Sequence, residues 1–194
     1  MKILGLTGSI GMGKSTVAQM LRDLDVPVFD ADAAVHELQG PNGALVPLIE
    51  AAFPGTTDAS GVVRPCWVPS CSRTRTSSRL WSESSTRRRG DAGDFLRDNA
   101  EAPLVVFDIP LLYEKGSEKG LDAVAVVSAP AGEQRRRVLA RPGMTAEKFE
   151  QILALQVPDA QKRARADYVI DTGLTLDATR EQVAGIVQAL RRAE

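Results

Sequence analysis

Lys2-Ile3-Leu4-Gly5-Leu6-Thr7-Gly8-Ser9-Ile10-Gly11-Met12-Gly13-Lys14-Ser15-Thr16 is the stretch that decides the fold. Residues 2–7 form a short apolar, β-rich run and a glycine-rich turn follows, after which Val17, Leu21 and Leu24 recur at helical spacing. Strand, loop, helix is the predicted order. Gly8 to Ser15 fits G-x-x-x-x-G-K-[ST] in the strand-to-helix context that this pattern requires. Glycines allow a turn tight enough for backbone N–H groups to converge on phosphate oxygens, and the helix N-terminus adds a positive dipole end. Lys14 would then neutralise β/γ-phosphates and the Ser15 hydroxyl would ligate Mg2+. A glycine-rich turn that matches by chance is the bland alternative.

Outward from this stretch, Val26-Pro27-Val28-Phe29 predicts a second strand ending at Asp30, then a helix from Ala33 to Leu38, a turn at Pro41-Asn42-Gly43 and a helix from Ala44 to Phe53. Leu104 to Phe107 and Ala123 to Val127 are compact apolar runs of the kind that doubly covered parallel strands show, so both are expected centrally in a sheet. Tyr168-Val169-Ile170 is a third. The last helix, Asp177 to Arg192, puts Val183, Ile186, Val187 and Leu190 on one face. Strands alternating with helices predict a parallel α/β sheet. No internal repeat is visible.

The 194 residues, 43% hydrophobic and 25% charged, exclude disorder and collagen and suit one domain with an inserted subdomain or lid. Cys66 and Cys71 are too few for a disulfide framework and lack partners for a zinc site, which fits a reducing compartment. Thr7, Gly8, Ser9 and Gly11 break the N-terminal apolar run before signal-peptide length. No stretch approaches the roughly 18 apolar residues of a membrane span. A cytoplasmic location with no membrane partner is therefore expected.

The net charge of −1 argues against general nucleic-acid binding, yet it hides an asymmetry. Between Arg64 and Gly90 stand seven Arg against the single acid Glu83. Residues 64–93 show neither helical nor strand period, and Ser, Thr and Arg dominate them as in a low-complexity segment.

Four further groups are candidates for chemistry. Asp30 and Asp32 lie at the C-terminal end of the second strand, the edge where open α/β sheets bind ligands. A carboxylate there could accept the proton of an attacking hydroxyl, or either Asp could cap the next helix. Asp108 ends the 104–107 strand, where it could hold Mg2+ through water or be a plain turn acid. Arg137 and Arg141 are i,i+4 neighbours able to close over a γ-phosphate, whereas Arg135 and Arg136 read as a solvated face. His36, the one histidine, reads as packed or surface.

With these residues assembled, the chain resembles the dephospho-CoA kinase family over residues 1–63 and about 94–190. The resemblance rests on Gly8 to Thr16, on Asp30-Ala31-Asp32 followed by His36, and on Asp108-Ile109-Pro110-Leu111-Leu112-Tyr113-Glu114. The Arg137 to Arg141 helix, Gln156 and Ala166 to Asp171 add to it. It implies a P-loop NTPase three-layer α/β fold with a parallel sheet, a helical acceptor-binding subdomain and a lid. It implies one kinase domain over 1–194, the acceptor subdomain at about 31–100 and lid helices at about 133–160.

By resemblance, ATP and Mg2+ are the cofactors and dephospho-CoA the small-molecule partner, with no nucleic acid, in a monomer or weak homo-oligomer. Asp32 is similar to the family's general base, which activates the ribose 3′-hydroxyl. Lys14, Arg137 and Arg141 would stabilise the transferring group, and Ser15 and Asp108 would hold the metal. Gly8, Ser9, Ile10, Gly11, Met12, Gly13, Lys14, Ser15 and Thr16 would cradle the nucleotide's phosphates, and Thr172-Gly173 looks like the adenine-contacting turn.

Residues 64–93 depart from that pattern, because the family carries a His-Pro pair there and this chain has none. A displaced reading frame would explain it. Shifted by two nucleotides, the codons of Cys66-Trp67-Val68 can only give Leu-Gly in their middle, and those of Ser85-Thr86-Arg87 can encode His-Pro. Three other functions compete: another small-molecule P-loop kinase, an ATP-binding but catalytically impaired chain, or a non-catalytic ATP- or nucleic-acid-binding protein that uses the Arg/Ser tract as a charged strand-binding segment.

Overall fold

The computed structural model describes residues 1–63 and 90–192. Its centre is a five-stranded sheet in the order β2-β5-β1-β6-β7, formed by β1 (Lys2–Gly8), β2 (Val28–Asp30), β5 (Leu104–Asp108), β6 (Ala123–Ser128) and β7 (Tyr168–Asp171). The pairings β5 to β1, β1 to β6 and β6 to β7 are parallel, with Leu6 opposite Asp108 and Ala125. The two apolar runs expected to be central do flank β1.

Side chains alternate across a strand, and β6 shows what that does here. Ala125 and Val127 join Leu4, Leu6, Val106 and Ile170 in a core capped by Val17 and Leu21 of α1 (Lys14–Arg22) and by Val183, Val187 and Leu190 of the C-terminal helix (Leu176–Arg192). Val124 and Val126 face the other way, against Leu112, Tyr113, Val157 and Ala166. Both faces are covered, which gives three layers. Leu4 and Leu6 are 1% and 0% exposed, and burying such a side chain is worth about 1.5–3 kcal/mol.

The chain divides into two compact units, Met1–Phe29 with Asn99–Glu194, and Asp30–Asp98. The first carries α1, four whole strands and most of β2, and after residue 129 the helices α5 (Ala131–Leu139), α6 (Ala146–Ala154), α7 (Asp159–Arg165) and α8 (Leu176–Arg192). The second carries α2 (Ala31–Gln39), α3 (Val46–Ala52), the hairpin of β3 (Thr57–Asp58) and β4 (Gly61–Val62), and a helix α4 over 90–98. In this unit Glu50 fastens the hairpin, accepting from the Thr57 hydroxyl at 2.6 Å and from Gly55 N at 2.7 Å, bonds that hold its carboxyl below the ordinary range.

Several boundaries differ from those expected. α2 starts at Ala31 because the Asp30 side chain caps it, accepting from Asp32 N at 3.0 Å and Ala33 N at 2.9 Å. α1 stops at Arg22, and Asp25, with φ 54°, turns the chain into β2. The hairpin was not foreseen, since two-residue strands leave no period to read. Residues 90–93, grouped with the aperiodic segment, are helical: half-buried Ala92, Phe95 and Leu96 share a face opposite exposed Asp94 and Asp98. The rest of that segment, 64–89, with the displaced-frame residues, lies outside the described residues.

Candidate active site

In the first unit the glycine-rich turn joins β1 to α1 as a cradle. Gly13 stands at the N-cap of α1 with φ 88°, where an L side chain is strained, and a Cβ there would come within 3.1 Å of the Thr172 hydroxyl. Gly11, with φ 77°, lies so close to α5 that a Cβ would meet Val138 Cγ2 at 2.4 Å. α1 has neither a side-chain cap nor an acid in its first turn to offset its positive end.

Lys14 and Asp108 meet in an ion pair at this cradle, the carboxylate side chain only 3% exposed and the ammonium side chain 20%. β5 and β1 are parallel neighbours, which puts the end of the apolar strand beside the turn that carries the lysine. Ser15 and Thr16 are exposed at the start of α1.

Around the cradle, side chains take up backbone groups. The Thr172 hydroxyl donates to Met12 O at 2.6 Å, Gln134 Nε2 donates to Ile10 O at 2.8 Å, and Gln156 Oε1 accepts from Ile10 N at 3.1 Å. Arg137 lies on the turn after β7, its guanidinium donating to Thr172 O at 2.7 Å, to the Thr172 hydroxyl at 3.1 Å and to Glu133 Oε1 at 2.8 Å. Arg136 and Arg137 together hold the Glu133 carboxyl down to about 2. Gly173 N donates to Asp171 Oδ1 at 2.7 Å, closing that turn.

Arg141 is exposed, and among the described residues no ion pair or side-chain hydrogen bond holds it. Arg135 and Arg136 are exposed as expected, Arg135 bridging to Glu150 on α6 at 2.8 Å. Ser9, Gln134, Leu153, Gln156, Val157, Pro158 and Asp159 line a cavity of about 270 Å³ behind the turn. Beyond it, Glu114 Oε1 accepts from Val157 N at 2.9 Å and meets Lys162 Nζ at 2.7 Å, with Lys162 wholly buried. Burial pushes the Glu114 carboxyl up, but Lys162 and the Val157 amide outweigh it and the net shift is downward.

In the second unit Asp30, Asp32, Ala33, Val35 and His36 line an open cavity of about 660 Å³. Of the two aspartates, it is Asp30 that caps α2. Asp32 is left exposed in the first turn of α2, and His36 is exposed one turn further on. Sequence reasoning passed over Gln134 as part of an arginine run and missed Glu133, Glu114 and Lys162 as supports. Gln134 had one signal, a polar residue four before Val138 on the apolar face of a helix.

The dephospho-CoA kinase family profile matches residues 2–65 and 90–177. A dephospho-CoA kinase of Novosphingobium aromaticivorans is 60% identical over 97% of this chain and 94% of its own length, and one of Mesorhizobium japonicum is 47% identical over 98% of each. Among solved structures, a Thermus thermophilus protein superposes with TM-score 0.84 at 33% identity, covering 97% of this chain and 96% of its own. A Campylobacter jejuni dephospho-CoA kinase, at TM-score 0.65, 17% identity and 97% of each chain, shares the fold. Among the described residues no helix is long and apolar enough to cross a membrane.

Proposed function

The chain belongs to the dephospho-CoA kinase family, and on that premise we propose how its residues divide the reaction. It transfers the γ-phosphoryl group of ATP to the ribose 3′-hydroxyl of dephospho-CoA, giving coenzyme A and ADP. The observation that carries this is the 60% identity to a dephospho-CoA kinase across 97% of the chain. Support from the geometry is the cradle itself, a left-handed Gly13, an uncapped helix end and a lysine against a buried carboxylate.

Gly8 to Thr16 bind the phosphates, and Thr172-Gly173 faces the adenine. As the 3′-oxygen attacks γ-phosphorus, its proton passes to the Asp32 carboxylate while the bond to the β–γ bridging oxygen breaks and ADP leaves. Lys14, Arg137 and Arg141 offset the charge on the transferring group. What favours Asp32 over Asp30 is that Asp30 is already engaged at the helix cap.

Ser15 and Asp108 offer hard oxygen donors that suit Mg2+, an ion that takes one or two protein oxygens beside substrate phosphates. When bound it would neutralise β/γ-phosphate charge. The acceptor subdomain at about 31–100, lid helices at about 133–160, a cytoplasmic location and a monomer or weak homo-oligomer belong to the same proposal.

The test is product analysis. Incubation with ATP, Mg2+ and dephospho-CoA should give a 3′-phosphomonoester by phosphorus NMR, with AMP and shikimate untouched; phosphate on another acceptor, or elsewhere on this one, contradicts the assignment. A second reading, an ATP-binding chain impaired toward its acceptor, is favoured by the family profile's lack of a match over residues 66–89. Gene sequencing bears on it: a compensating insertion and deletion flanking this stretch, relative to a close relative, supports a displaced frame, and their absence contradicts it.

A further inference from the structure

A phosphate cradle works only if enough of its peptide N–H groups are aimed at the anion and its carbonyl oxygens face away, so its backbone has to be held in that conformation. In this chain the carbonyls of Ile10 and Met12 are both drawn off by side-chain donors, Gln134 Nε2 at 2.8 Å and the Thr172 hydroxyl at 2.6 Å. Ile10 is held at both of its backbone groups, and so in two successive peptide planes, since its N–H donates to Gln156 Oε1 at 3.1 Å. An N–H can only meet an acceptor and a C=O only a donor, so both carboxamide orientations are fixed by their partner.

The two glutamines are themselves fixed. Gln134 is 5% exposed and sits on α5, four residues before Val138, which packs directly on Gly11. Gln156 precedes Val157, whose N–H is tied at 2.9 Å to Glu114, and Glu114 is paired with the wholly buried Lys162. The glycine-rich turn, the loop after Asp108 and the helices α5 to α7 are thus joined through the two peptide planes that flank Ile10.

We propose that Gln134 and Gln156 are positioning residues for nucleotide phosphate, clamping the two peptides that flank Ile10 so that the cradle is set before ATP arrives. The inference rests on the proposed reading of the turn as the ATP site. Neither glutamine touches the transferring group; both act through the backbone. Their loss therefore lowers affinity for nucleotide phosphates and spares the nucleoside end.

The experiment compares Gln156→Met, which has similar length and only a weakly accepting sulfur in place of the oxygen; Gln156→Glu, which keeps an oxygen acceptor; and Gln134→Glu, which loses the donor to Ile10 O. The two Glu variants add the same charge, so a difference between them reports the hydrogen bond. Dissociation constants for ATP and for adenosine are read by calorimetry on the full chain. Gln134→Glu and Gln156→Met should weaken ATP at least tenfold with adenosine within twofold, and Gln156→Glu should recover most of what Gln156→Met loses. Equal weakening by both Glu variants, unchanged ATP affinity, or parallel loss of adenosine would overturn the clamp. Should Gln134→Glu fail to fold, the half-exposed Gln156 pair decides alone. A parent chain without ATP affinity defeats the proposed function as well, whereas normal ATP binding with indifferent variants defeats the clamp only.

Discussion

The unit built from residues 1–29 and 99–194 and the unit of residues 30–98 are held together by different means. In the first, β1, β5 and β6 are buried from both faces, and the backbone of the glycine-rich turn is tied at Ile10 and Met12 by Gln134, Gln156 and Thr172. In the second, α2 buries none of its residues, and Asp32 and His36 stand exposed on an open cavity. The contrast teaches where the chain can absorb change. A turn fixed by a core and buried hydrogen bonds keeps its geometry by itself, whereas a helix that buries none of its residues depends on what surrounds it.

The sharpest way to break that comparison is at the carboxylate of the second unit. Asp32→Asn should lower kcat by about 10²–10⁴-fold, the usual worth of a general base, with ATP affinity kept. Retained turnover in a steady-state assay would remove Asp32 from the role. Lys14→Ala addresses the first unit instead: it leaves Asp108 without its ion-pair partner and should weaken ATP by about 10²-fold, read by calorimetry. Unchanged ATP affinity would count against the cradle.

Smaller effects sharpen the contrast in stability. Glu114→Gln strands the buried Lys162 and should cost about 3–5 kcal/mol in chemical denaturation. The sign of its pH dependence follows from a carboxyl held below its ordinary value of 4.5. That contribution is whole above 4.5 and is lost as pH falls through the lowered value, so parent and variant should converge in acid. Divergence on acidification would mean that Glu114 is not ionised in the fold. Smallest is Arg135→Ala, at an exposed pair with Glu150, expected to change stability by about 0–1 kcal/mol.

How far the sequence reached follows the range of the interactions concerned. β1, β5 and β6 were legible because apolar runs bounded by turns are local signals, and the glycine-rich turn between β1 and α1 because its glycines and lysine lie within a few residues. The Asp30 cap was one of two open choices, settled only by the bonds to Asp32 N and Ala33 N. The glutamine clamp could not be read, since Gln134 and Gln156 meet Ile10 across 124 and 146 residues. Lys162 sits in the charged run Gln161-Lys162-Arg163-Ala164-Arg165, where nothing local marks it as wholly buried.

The most direct measurement is ADP release by this chain with ATP and Mg2+, with and without dephospho-CoA. Release that depends on dephospho-CoA is the expected result and shows both sites working together. Release indifferent to dephospho-CoA, or none while ATP remains bound, would contradict the assignment of this chain as an active dephospho-CoA kinase.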